Sequence, residues 1–253
     1  MNPRRLTYFI SDIHLGAGYI TDPKAHELRV TRWLEEVVRP DAARLYLLGD
    51  VMDYWWEYRT AVPRGHTRFL GTLARLADDG VAITWLKGNH DIWIRDYLPA
   101  EIGMRVVDGM LIEEIDGQRF LMEHGDGVGH LPASFRMLRR LFRNRTAQAL
   151  YGAIHPRWTI GLAHRWSSHS RKSGGYAGDG DDREVTSPLR EFATEYERLH
   201  PGRIDWFVFG HVHRTADEPL PGGARMVVLG DWISRFSYGV YDGQTLRLES
   251  YKL

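Results

Sequence analysis

The sequence predicts an α/β fold, a sandwich of mixed β-sheets with helices on the outside. Three observations lead there. Short apolar runs alternate with helix-length amphipathic stretches, the pattern of parallel strands joined by crossover helices. Asp-Gly pairs at Asp116-Gly117 and Asp242-Gly243 mark hairpins later in the chain. Apolar runs also end in polar residues beside glycines, where α/β folds gather their ligands.

In chain order, Leu6–Ile10 reads as a strand with Ser11-Asp12-Ile13-His14 at its tip. Asp22-Pro23 starts a helix as N-cap and first-turn proline, and Val30, Trp33, Leu34, Val37 and Val38 mark its apolar face. Pro40-Asp41 closes that helix before the strand Arg44–Leu48, whose tip carries Gly49-Asp50-Val51-Met52-Asp53. The pair of strands and its helix form a right-handed βαβ unit. An aromatic loop, Tyr54–Tyr58, precedes a second helix with Phe69, Leu70, Leu73, Leu76 and Ala77 on one face and Gly80 at its end. Val81–Leu86 is a third strand, tipped by Lys87-Gly88-Asn89-His90-Asp91. A short helix is expected around Trp93–Leu98, stopping at Pro99. Met110–Ile115 and Gln118–Glu123 make a hairpin that ends in His124-Gly125-Asp126. After a Gly/Asp-rich loop at Ser173–Asp182, a helix fills roughly Glu184–Leu199, and strand Ile204–Phe209 ends in Gly210-His211-Val212-His213. Arg225–Leu229, Ser237–Tyr241 and Gln244–Tyr251 complete the strands.

A chain of 253 residues, 43% hydrophobic, suits one domain over 1-253 carrying an insertion at 127-172. Acidic and basic residues balance at 33 each, so bulk charge points to no polyanionic partner. With no cysteine there is neither a disulfide nor a thiolate metal site. The start, Met-Asn-Pro-Arg-Arg-Leu, leads straight into a strand without a signal-like apolar segment, and no apolar run approaches the roughly 18–20 residues that span a bilayer. The chain reads as cytoplasmic, either free or peripheral on a membrane.

The strand tips offer Asp12, His14, Asp50, Asn89, His90, His124, His211 and His213. Imidazole, carboxylate and amide oxygen together suit divalent Mn, Fe, Zn or Mg. One carboxylate bridging two cations about 3.5–4 Å apart makes a two-metal centre that polarises a phosphoryl group and generates a nucleophile. Each piece alone has a plainer reading: Gly-Asp a turn, Gly-Asn-His-Asp a loop, His-X-His an exposed strand. Their joint occurrence in order, each after an apolar strand, favours the metal centre.

The series Asp12-X-His14, Gly49-Asp50-X-X-Asp53, Gly88-Asn89-His90-Asp91, His124-Gly125-Asp126 and Gly210-His211-Val212-His213 resembles the calcineurin-like metallophosphoesterases. The resemblance implies their αββα sandwich with a helical lid insertion. It implies one ion on Asp12, His14, Asp50 and His213, and a second on Asp50, Asn89, His124 and His211. His90 would touch the reacting phosphoryl oxygen or protonate the leaving group, held by Asp91. Asp53-Tyr54-Trp55-Trp56, Gly230-Asp231-Trp232 and the insertion after Asp126 are similar, more narrowly, to the UDP-2,3-diacylglucosamine pyrophosphatases. That family implies an acylated UDP-sugar lipid as substrate, lipid A synthesis as the setting and manganese as the ion. Its best-known branch has Arg at the position of His90. The branch seen in Bacteroidetes-like bacteria keeps His, and the exchange replaces a fixed charge with a titratable one.

The insertion from Gly127 to Lys172 has nine basic residues and no acidic one, so the rest of the chain is acidic. Phe135, Leu138, Leu141 and Phe142 recur at helical spacing within it. It reads as a lid over the substrate, as a basic face toward anionic lipid on the inner side of the cytoplasmic membrane, or as a helical hairpin packed on its own domain. The resemblance favours lid and membrane contact together. Candidate substrate contacts are Asn89, His90, Trp55, Arg64, Arg139, Arg171 and Lys172. Trp55, Trp56 and Tyr58 suit either a groove or the core. One of Ser168, Arg171 and Lys172 is expected on the sugar phosphate. The function read is a dinuclear-metal hydrolase acting on the pyrophosphate of that lipid. The alternative is another phosphodiesterase or phosphatase of the same fold. A nuclease fits less well, because the basic residues concentrate in an apolar insertion. Nothing in the sequence calls for a protein partner, and a scaffold without catalysis would not need every ligand position filled.

Overall fold

A computed structural model of the chain describes residues 5–129, 133–154 and 181–252. Strands β1 (Leu6–Ile10), β2 (Ala42–Leu48), β3 (Ala82–Leu86) and β4 (Arg105–Val107) run parallel, and β10 (Ser237–Tyr241) and β11 (Leu246–Ser250) extend the sheet antiparallel. The six strands lie in the order β11-β10-β1-β2-β3-β4. A second sheet has the order β5-β6-β7-β9-β8, built from β5 (Leu111–Ile115), β6 (Gln118–Glu123), β7 (Trp206–Phe209), β8 (Thr215–Pro219) and β9 (Arg225–Leu229).

Period-two alternation stacks these sheets. Phe9, Tyr46 and Leu48 point inward with Phe120, Met122, Val208 and Val227 of the facing sheet. Phe9 stacks on Tyr46 at 5.2 Å and on Phe120 at 5.7 Å, joining the layers. The neighbours Tyr8, Ile10, Leu45 and Leu47 point the other way, against α1 (Pro23–Trp33) and α2 (Thr67–Asp78) through Val30, Trp33, Phe69 and Leu73. On the far side Phe207, Phe209 and Val228 pack on the helix Asp182–Leu199 through Leu189 and Ala193. The result is helix, sheet, sheet, helix, the sandwich of mixed sheets that the sequence predicts.

The Asp22 side chain accepts from Ala25 N at 2.9 Å and caps α1, and the helix runs on through a π turn at Leu34–Val38. Two elements escape the sequence reading, β4 and β8, both edge strands of which β4 has three residues and β8 is half polar. The short helix is displaced. Instead of Trp93–Leu98 it is α3 (Tyr97–Ile102), with Pro99 inside it. Pro99 falls in the first turn, where a backbone N–H has no helical partner to lose. Buried Glu57 fixes the start of α3 by accepting from Arg95 N at 2.8 Å and Tyr97 N at 3.2 Å. Gly103, at φ 78°, ends it.

Between β6 and the helix Asp182–Leu199 lie α4 (Ala133–Arg143) and α5 (Arg145–Gly152), so the insertion is helical where it is described; Asp182–Leu199 is α6. Residues 130–132 and 155–172 of the 127-172 span, with Ser168, Arg171 and Lys172, lie outside the described residues.

Candidate metal centre

The tips of β1, β2, β3, β6 and β7 meet at one end of the sandwich. Backbone hydrogen bonds stitch them together: Asp12 N to Gly49 O at 3.1 Å, His14 N to Asp50 O at 2.9 Å, and Gly210 N to His124 O at 2.9 Å. Asp12, His14, Asp50, His211 and His213 all adopt left-handed backbone, with φ between 51° and 71°. Such a conformation costs a non-glycine residue about 1–2 kcal/mol. Strain of this kind concentrated on one set of side chains marks a functional site. It also releases the i,i+2 pairs from the fixed common face of a strand.

The side chains form three overlapping groups whose ligand atoms lie within 4.8 Å of one another: Asp12, His14 and His213; His14, Asp50 and His90; Asp50, His124 and His211. Asp12 and His14 thus stay together, whereas His211 and His213 divide between two groups. Asp50 belongs to two groups. Its Oδ2 is 3.3 Å from His124 Nε2 and 3.8 Å from His14 Nε2. Asp12 Oδ1 is 3.5 Å from His213 Nε2 and 3.7 Å from His14 Nε2. Backbone space is equally committed. A Cβ on Gly49, at φ 82°, would lie 2.6 Å from His124 Nδ1, and any side chain on Gly88 would collide with the Asp50 carboxylate.

Neighbours aim these atoms. His124 Nδ1 donates to Leu48 O at 2.8 Å, which presents Nε2 to Asp50. Asp12 Oδ2 accepts from His211 N at 2.8 Å and from the Ser11 hydroxyl, which leaves Oδ1 for the centre. Asp50 Oδ1 accepts from His90 N at 2.9 Å. Asp231, anchored by Ile233 N and Ser234 N, sits 3.7 Å from His213 Nδ1. Four buried ligand atoms, Asp12 Oδ1, His14 Nε2, Asn89 Oδ1 and His124 Nε2, make no hydrogen bond. A folded protein rarely leaves such atoms bare, and two divalent cations would satisfy them. The donor set of imidazole, carboxylate and amide oxygen fits a dinuclear site.

Neighbouring charges and burial set the protonation. Burial works against a charged His14, but the neighbouring carboxylates of Asp12, Asp53 and Asp50 outweigh it and carry it up to about 9. The same contest, with Asp50 the strongest partner, lifts His124 well above an ordinary imidazole. His211, buried beside His124, is pushed down to about 4. At pH 7.5 the metal-free centre therefore holds protons on His14 and His124 that a cation must displace. Divalent-ion binding should release about two protons, and affinity should climb as pH rises toward 9. Titration calorimetry in two buffers of different ionisation enthalpy reads this directly; equal heats in both buffers would show the histidines already neutral.

Several sequence expectations move. Asp91 does not hold the His90 ring. Its carboxylate accepts from Gly88 N at 2.7 Å, Val51 N at 2.9 Å and Trp85 Nε1 at 3.1 Å, bracing two loops from below. Asp53 takes the assigned role: its carbonyl accepts from His90 Nδ1 at 2.9 Å, and its Oδ1 is 3.4 Å from His14 Nδ1. Trp55 is fully buried in the helix-facing core, with Nε1 on Glu57 at 3.1 Å, and lines no surface. Trp56 is also buried but packs against the insertion, its ring 4.5 Å from Tyr151. Trp56, Trp93, Leu141, Phe142 and Tyr151 enclose an apolar cavity. Arg139 is spoken for by protein carboxylates, Asp126 at 2.9 Å and Glu123 at 3.8 Å. Arg64 is exposed on the loop before α2. Asp126, Asp231 and Ser11 were legible only as parts of motifs, because their roles depend on contacts across strand tips.

Residues 6–215 match the family model described as calcineurin-like phosphoesterase. Among curated proteins, the chain is 44% identical to the UDP-2,3-diacylglucosamine hydrolase of Porphyromonas gingivalis, over 98% of this chain and 98% of that protein. It is 29% identical to the UDP-2,3-diacylglucosamine hydrolase of Ralstonia nicotianae, over 96% of this chain and 88% of the relative. A Serratia proteamaculans protein of the same description is 28% identical over 89% and 90%.

Proposed function

We propose that this chain, which belongs to the calcineurin-like phosphoesterase family, hydrolyses the pyrophosphate bond of UDP-2,3-diacylglucosamine to UMP and 2,3-diacylglucosamine 1-phosphate, a step of lipid A synthesis. The observation that carries this reading is the near-full-length relation at 44% identity. The convergent histidines and aspartates give it a chemistry.

One ion would be held by Asp12, His14, Asp50 and His213 and the other by Asp50, Asn89, His124 and His211; the grouping of Asp12, His14 and His213 apart from Asp50, His124 and His211 supports that division. Manganese is the ion we assign to both places. When bound, the pair supplies Lewis acidity at the phosphoryl oxygens and a water acidic enough to attack the α-phosphate. The protein's residues do the rest. Asp50 fixes the spacing of the two places. The Asp53 carbonyl holds His90 by Nδ1, so its Nε2 faces the reacting phosphate and offsets charge there. Arg64 approaches the substrate's charged end from the loop before α2, and Arg171 and Lys172 serve the sugar phosphate.

The apolar lining of the cavity around Trp56 and Tyr151 supports a place beside α4 and α5 for part of the substrate's apolar portion. No helix among the described residues is long and apolar enough to cross a membrane. Met137, Leu141, Leu150 and Ile154 are exposed on and beside α4 and α5, where Arg136, Arg140 and Arg145 are exposed as well. An apolar surface studded with arginine suits the inner face of the cytoplasmic membrane, where the lipid substrate resides.

Metal-stripped protein incubated with UDP-2,3-diacylglucosamine should release UMP when manganese is added and none without it. Cleavage of a generic phosphodiester but not of the lipid nucleotide would retain the two-metal chemistry and overturn the substrate.

A further inference from the structure

Helix α4 reaches back into the metal centre at one point. The Arg139 guanidinium lies against the backbone of Gly127, between Glu123 and Asp126. Those two acids flank His124-Gly125 and are nearly fully buried, at 4% and 1% exposure. The loop they belong to has no slack. A Cβ on Gly125 would lie 3.0 Å from His211 Cβ and 3.3 Å from Gly210 O. Arg143, one turn on, adds a second cation 3.8 Å from Asp126 Oδ2 and 3.3 Å from Asp108. A comparable tie holds the start of α6: Asp182 pairs with Arg214 at 3.0 Å and with Arg235 at 3.3 Å, and Arg235 Nε donates to His213 O at 3.2 Å.

We propose that Arg139 is a positioning residue that acts through Asp126 and Glu123, so that the seating of helix α4 fixes His124 and His211 for metal binding. It is not a substrate contact. The physical reason is the burial of two carboxylates beside His124. Removing Arg139 leaves Glu123 without its cation and Asp126 with only the more distant Arg143, an unfavourable arrangement in a low-dielectric interior. The loop Gly125–Gly127, closed around the guanidinium, then relaxes. It is bonded through His124 O to Gly210 and packed on His211, so both histidines lose their aim together. Coupling of this kind is reciprocal: metal in the His124 and His211 place also stabilises the docked α4.

The inference rests on the two-metal reading, and the experiment separates the two. Metal-free wild type, Arg139→Ala, Arg139→Lys and, as a control for charge alone, Arg140→Ala are titrated with Mn²⁺ by calorimetry. The same proteins are assayed on a small chromogenic phosphodiester, which is too short to reach α4, and thermal unfolding is recorded without metal. Arg139→Ala should bind Mn²⁺ about 10–100-fold more weakly, the usual scale for a residue supporting a ligand. Its kcat on the small diester should fall with KM little changed, Arg139→Lys should recover part of both, and Arg140→Ala should match wild type. Wild-type affinity in Arg139→Ala, with a raised KM for the lipid nucleotide only, would overturn the proposal and make Arg139 a substrate contact. An equal loss of affinity in Arg140→Ala would overturn it too, reducing the effect to charge. Failure of wild type to bind Mn²⁺ at all would instead remove the two-metal reading on which it stands.

Discussion

Asp50→Asn is expected to lower turnover by about 10³-fold or more, the scale on which a preorganised transition-state contact is lost. The fold should stay intact. Asp50 sits at the tip of β2 with φ 51°, and asparagine tolerates the left-handed region better than other side chains. The amide also keeps an oxygen for the His90 N–H now held at 2.9 Å. It cannot keep the charge. Burial alone would raise the Asp50 carboxyl, yet His124 and His90 outweigh it and hold it well below the usual range, so the native group is a full anion among three histidines. A neutral amide oxygen can serve one cation and cannot bridge two. Metal titration of the variant should therefore show one place weakened far more than the other, with the far-UV spectrum unchanged. Normal turnover would remove Asp50 from the centre. Asp50→Ala should be worse for folding, because alanine pays the left-handed cost without an amide to replace the bond to His90.

His90→Asn should lose about 10²-fold in kcat, the low end of what a positioned proton donor contributes. The geometry specifies more than the magnitude. Because Nδ1 donates to the Asp53 carbonyl, the neutral ring presents a lone pair at Nε2, 4.0 Å from Asp50 Oδ2. Only the protonated ring can donate from Nε2 to a phosphoryl or leaving oxygen. The asparagine variant should therefore lose far less on a substrate whose leaving group needs no proton than on one whose leaving group does. Equal losses on both substrates would exclude His90 as the acid. Asp53→Asn should produce a milder version of the same change, since the carbonyl that orients the ring survives.

These two residues also show how differently parts of the site can be read. Asp50 was legible from its setting, an apolar strand followed by glycine and a carboxylate. His90 was legible as a residue but not in its support. Adjacency in Gly88-Asn89-His90-Asp91 suggests Asp91 as its partner, whereas the chain turns Asp91 under the loop to receive Gly88 N, Val51 N and Trp85 Nε1. The residue that does hold His90 comes from the tip of the neighbouring strand, 37 positions earlier. Trp55 and Trp56 make the same point. Neighbours in an extended loop face opposite ways, and nothing in the dipeptide says which buried ring joins the helix-facing core and which packs against the insertion.

By itself the sequence determined the layered α/β sandwich, the strands whose tips carry aspartate and histidine, and the two-metal class of chemistry. Each follows from local information, namely hydrophobic period, turn residues and side-chain donor type. Tertiary structure alone decided the partition of His211 and His213 between neighbouring groups, the partners that aim each ligand, and the pairing of Arg139 with Asp126 and Glu123. These depend on distances between segments far apart in the chain. They are set by left-handed turns at the strand tips and by the burial of charges that must find partners where water is excluded.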